Sequence, residues 1–198
     1  DLGSVTGLFD ADGYQSTSSD IVALLVLSHQ IHMVNLITRV GWEARAADPT
    51  LHAPFVAAPG EERLIAEMMS GIATEFVDYL LFVDEAPLAD RVQGSSPFAE
   101  RFAATGPRDA KGRSLHDLDL QRRLLKYPCS YEIYSAAFDA LPPAAKDPIY
   151  RRMWQVLSGE ERGDRYRAAL PLADRQAIVD ILKDTKGDLP AYFERVTR

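Results

Sequence analysis

His29 and His32 lie three residues apart in the stretch Ser19–Ala46, SDIVALLVLSHQIHMVNLITRVGWEARA. At that spacing two side chains are neighbours on a helix surface. Two neutral imidazoles so placed can share a first-row transition metal, with carboxylates from a facing helix completing the shell. Glu75 is the best-placed carboxylate and Asp78 and Glu43 are reserves, so the metal reading takes His29, His32 and Glu75 as ligands. Asn35, Arg39, Glu43 and Asp78 would support them. The two histidines project from one side of one helix and cannot be opposite axial ligands of a haem. One of them can hold a non-covalent haem with Met68 or Met153 opposite. The same groups read equally as a buried hydrogen-bonded network of histidine, Asn35 and Arg39 joining helices, because buried polar groups need partners. Helix-bundle metal sites usually carry more ligands than two histidines, which favours the network.

Cys129 is the one cysteine. It follows Pro128 near an expected helix start, where the helix dipole lowers a thiol pKa, and with His116 it would make a nucleophile. No signature surrounds it, and a small buried apolar residue is the favoured reading. Tyr127, Tyr131, Tyr134, Phe138, Tyr150 and Trp154 recur at helical spacing and read as core. Arg122–Arg123 and Arg151–Arg152 read as solvated faces. Asp10, Asp12 and Gly13 suggest a calcium loop, but an EF-hand needs Gly at its sixth position and Glu at its twelfth, where Gln15 and Ile21 stand.

These residues need elements to position them. Ser18 and Ser19 are good N-caps and Asp20 suits a first turn, so a helix is expected over 19–46. Its run Ile21–Leu27 is apolar on every side and is expected to be almost wholly buried, Leu25 included. It is not read as a membrane span, which needs about 20 apolar residues; this run meets two His, a Gln and an Asn after Leu27. At about 100° per residue, Ser28, His32, Asn35, Arg39 and Glu43 share one stripe, and His32 is expected to be buried on it. Arg39 is expected to pair with Glu43 at i, i+4. A second helix over 61–84 is expected to run antiparallel beside the first and bring Glu75 toward the imidazoles, with Glu67, Thr74 and Asp78 solvated. Further helices are expected at 98–104, 129–140, 144–157 and 172–183, the last with a glycine C-cap at Gly187. Residues 47–60 form a Pro-rich connection, 106–121 a turn-rich loop and GEERGDRYR a charged loop. The fold class is therefore all-α, an irregular bundle of about five to seven helices around one long buried helix. Residues 1–18 are an extended lead-in and 19–198 one helical domain.

Length and composition agree. The chain has 198 residues, of which 46% are hydrophobic, enough for a core. A net charge of −7 argues against nucleic acid as partner. One cysteine permits neither an internal disulfide nor a Cys-x-x-Cys-His haem attachment, so covalent haem in this chain is excluded.

Four stretches carry a resemblance. DIVALLVLSHQIHMVNLITRVGWE, DYLLFVDEAPL, GPRDAKGRSLHDLDLQRRLLKYPCSYEIYSAAFDALP and WQVLSGE together resemble a helical region of uncharacterised bacterial proteins, some of which look related to c-type cytochromes. The resemblance spans about half the chain and carries no catalytic motif. It implies an extracytoplasmic, periplasmic setting associated with electron transfer, with any covalent haem outside this chain. Three functions follow as expectations: a metal-binding, redox-associated domain; a structural or interaction domain working with other domains or subunits of a larger protein; and a thiol enzyme using Cys129.

Overall fold

A computed structural model describes residues 5–10, 12–14, 16–48 and 60–193. Among these the chain is all-α: α1 (Ile21–Ala46), α2 (Glu61–Leu80), α3 (Phe98–Thr105), a 3-10 turn at Tyr131–Tyr134, α4 (Ala136–Asp139), α5 (Pro143–Ser158), α6 (Asp164–Ala169) and α7 (Leu172–Thr185). Most of the Pro-rich connection, residues 49–59, lies outside the described residues.

Asp20, not Ser18 or Ser19, caps α1. One carboxylate oxygen accepts the Val22 and Ala23 N–H groups, and the other takes the Ser96 N–H and hydroxyl. The Ser96 hydroxyl is the main reason that its carboxyl is held below the usual range. The cap thereby ties the start of α1 to the segment that leads into α3.

The inner face of α1, Met33, Leu36, Ile37, Val40 and Ala44, joins Met69, Ala73, Phe76, Val77 and Leu80 of α2 in the main core. Contacts between His29 and Phe82, His32 and Tyr79, and Arg39 and Glu75 run in opposite senses along the two helices, so they are antiparallel, as expected. From α5, Ile149, Met153 and Leu157 extend this core, and α7 closes it with Ile178, Ile181 and Leu182. Helix α5 ends at Gly159 with φ +84, a left-handed C-cap that glycine adopts without a Cβ penalty. Helix α7 instead ends through an extended Lys186. A second cluster, Val26, Leu124, Leu125 and Tyr131, packs against the first turns of α1 with Phe98 and Phe102 of α3.

Three expectations are corrected. The run Ile21–Leu27 is not wholly buried: Val22 and Val26 are, but Ile21, Leu24 and Leu27 are about half exposed and Leu25 is half-buried. The run is apolar all round, yet core elements pack on one side of it only. No continuous helix spans 129–140. The Ser130 side chain accepts from the Glu132 N–H and that of Ser135 from the Phe138 N–H, so each restarts the backbone and the segment splits into a 3-10 turn and a single α-turn. Finally, the charged loop contains α6, whose Tyr166 is buried.

Candidate functional site

The polar island of α1 divides in two. His29 points inward and is 5% exposed. Its Nε2 lies 2.7 Å from the Ser130 hydroxyl, which stands at the mouth of the 3-10 turn. Its ring lies against Phe82 at 4.6 Å and Tyr79 at 5.2 Å, both near parallel, with Tyr131 tilted at 5.8 Å. Burial first, and then the neighbouring His32, push the imidazole down from 6.5 to about 4, so it is neutral at physiological pH. The turn is bound to α1 a second time by the Tyr131 hydroxyl, which donates to the Val26 carbonyl. Phe82, immediately after α2, holds φ +55, a conformation rare for a bulky residue, and this places its ring on His29.

The remaining island residues face outward. His32, Asn35 and Arg39 are exposed, which corrects the expected burial of His32 on that stripe. Met33, Leu36, Ile37 and Val40 occupy the inward face, and a helix cannot turn both sets of side chains to one core. The ring of His32 rests on the outer side of Tyr79 at 4.1 Å. Arg39 pairs with Glu75, not with Glu43; one guanidinium nitrogen reaches both carboxylate oxygens at 3.0 Å, and both side chains are about half exposed. Glu43 is half-buried one turn further along α1.

Asp78, expected to be solvated, accepts from Arg165 and from the Tyr166 hydroxyl. Arg152 and Arg123, expected on solvated faces, are mostly buried and bridge to Glu161 and Asp174.

The expected ligands therefore have other partners: Nε2 of His29 has Ser130, and Glu75 has Arg39. Among the described residues no three His, Cys, Asp or Glu side chains are grouped as a metal would need. Met153 lies fully buried in the main core, whereas Met68 is exposed on α2. Cys129 is fully buried, and burial pushes its thiol up. It lies just ahead of the 3-10 turn and not at the start of an α-helix. His116 packs against Phe102 and Tyr131, with a buried Nδ1 that has no hydrogen-bond partner among the described residues.

The sequence reading missed Ser130, Tyr79 and Phe82, the groups that shape the surroundings of His29. Ser130 is about a hundred residues from His29 and nothing local announces the pairing.

The outer face of α1 is the other distinctive surface. Ile21, Leu24, Leu27, Ile31, Val34 and Trp42 are between 38% and 70% exposed. Leu24, Leu27, Ile31, Val34 and Thr38 follow one another at intervals of three, four, three and four. By length and composition alone α1 also suffices to cross a membrane, and only 33% of its most apolar window is buried. Comparison with known protein families, curated proteins and solved structures gives no match.

Proposed function

We propose that this helical domain is an interaction module that pairs, through the outer face of α1, with the same face of a second copy. The alternating spacing of Leu24, Leu27, Ile31, Val34 and Thr38 carries the reading, because a 3-4 repeat is the seam that one helix offers another in a coiled coil. These side chains are exposed on the side of α1 away from its own core, where single scattered apolar residues would need no explanation but a continuous stripe does.

The seam is complementary to itself in an antiparallel arrangement. A two-fold axis level with residue 29 sets Leu24 of one copy over Val34 of the other and Leu27 over Ile31. A lipid surface fits less well. Interfacial helices carry Lys and Arg along their polar edge, whereas the first cation on this helix, Arg39, is held by Glu75. The metal-centred alternative asks for a ligand set that the described residues do not bring together.

About two heptads bury less than the usual ~800 Å² per partner, so a dimer with a Kd of about 1–100 μM is expected. Sedimentation equilibrium from about 5 to 500 μM would show it, and Leu27→Glu with Ile31→Glu would return the protein to monomer while leaving its helical circular dichroism unchanged. A wild-type chain that stays monomeric throughout, or a dimer indifferent to both substitutions, refutes the proposal.

A further inference from the structure

The turn that follows α2 encloses an open pocket of about 380 Å³ against the first half of α1. Leu25, Leu88 and Leu124 and the rings of Tyr79 and Phe82 make it largely apolar, and His29 stands in its wall. That volume is at the small end of the range in which proteins hold organic ligands and suits a molecule of one or two rings.

The imidazole supplies direction. The Ser130 hydroxyl accepts the Glu132 N–H at 3.2 Å and can give its own proton to Nε2 of His29 at 2.7 Å. A neutral imidazole that accepts at Nε2 carries its hydrogen on Nδ1. In that tautomer the Nδ1–H, which has no partner among the described residues, is left as a donor on a residue of the pocket wall. The stacked ring of Phe82 holds the imidazole plane, and it does so from a left-handed backbone conformation that the turn maintains. Such conformations persist where the surrounding structure requires them and cluster at ligand clamps.

The rim sets the charge. Asp78 and Asp84 are both bound by Arg165, whereas Glu85 lines the pocket with one long contact, 3.5 Å, to the Leu124 N–H and with Arg123 nearby, and burial raises its carboxyl above the ordinary range. A carboxylate beside an apolar cavity repels anions.

We propose that this pocket binds a small uncharged aromatic molecule that presents a carbonyl or ether oxygen to the Nδ1–H of His29. The pocket takes Leu25, Ser28 and His29 from α1 and none of the seam residues, and the inference stands independently of the pairing. Benzamide is the first probe and benzoate the same ring with a negative charge. Titration of the full chain, followed by amide shifts, is expected to give saturable benzamide binding with a Kd on the order of 10 mM, confined to residues around the pocket. Benzoate should bind more weakly. Leu88→Trp, which fills the pocket from a half-buried position outside α1, should abolish binding. His29→Phe, which keeps a ring and removes the donor, should weaken benzamide about tenfold, the worth of one hydrogen bond. Equal affinity of the wild-type protein for both probes, shifts away from the pocket, or benzamide binding unchanged by either substitution overturns the inference.

Discussion

Acid should destabilise this fold through one imidazole, and His29→Gln should remove that sensitivity. His29 is buried with its pKa held at about 4 against 6.5 for a free histidine. The unfolded chain therefore takes up a proton at pH values where the folded chain refuses it. The contribution to stability is fully present above about pH 6.5 and is lost as the pH falls toward 4. At about 1.4 kcal/mol per unit, the loss is about 2 kcal/mol at pH 5 and about 3 kcal/mol near pH 4. Glutamine does not titrate, and its amide oxygen can accept the Ser130 hydroxyl. Urea unfolding of both proteins at about pH 7.5 and about pH 5 isolates the effect, because His116, also pushed down by burial, and the acidic side chains contribute to both. The wild-type chain should lose about 2 kcal/mol more than the variant between those values. Equal losses, to within about 0.5 kcal/mol, would mean that the imidazole is hydrated or protonated in the fold and that its placement against Phe82 and Ser130 is wrong.

Two further outcomes are expected. Cys129 should react with a thiol reagent in the native protein far more slowly than after unfolding, because burial both raises its thiol pKa and blocks access; rapid stoichiometric labelling of the folded chain at neutral pH would contradict this. Glu75→Ala should cost less than about 1 kcal/mol, the worth of a half-exposed ion pair, and should leave the metal content of untagged protein unchanged; elemental analysis showing a metal that Glu75→Ala releases would restore the metal reading.

Much of the backbone follows from local pattern. The long span of α1, the positions of α2, α5 and α7, and the left-handed Gly159 are set by capping, apolar periodicity and the placement of Pro and Gly, and all of these are properties of adjacent residues. The divided segment around 131–139 was also written locally, in Ser130 and Ser135, but only the competition between their side-chain caps and a continuous helix makes it visible. What a helix faces is a different kind of fact. Helix α1 is apolar on both sides, and its composition alone cannot tell which side is covered. The choice was made by α2, α5 and the 3-10 turn, all of which pack on the side of Met33, Ile37 and Val40. That choice turned His32, Asn35 and Arg39 outward, paired Arg39 with Glu75 and left Leu24, Leu27 and Ile31 exposed. It also carried His29 inward to a serine about a hundred residues away. A helical repeat encodes which side chains share a face, but the energy that buries one face belongs to partners distant in the chain, and only their packing decides which face it is.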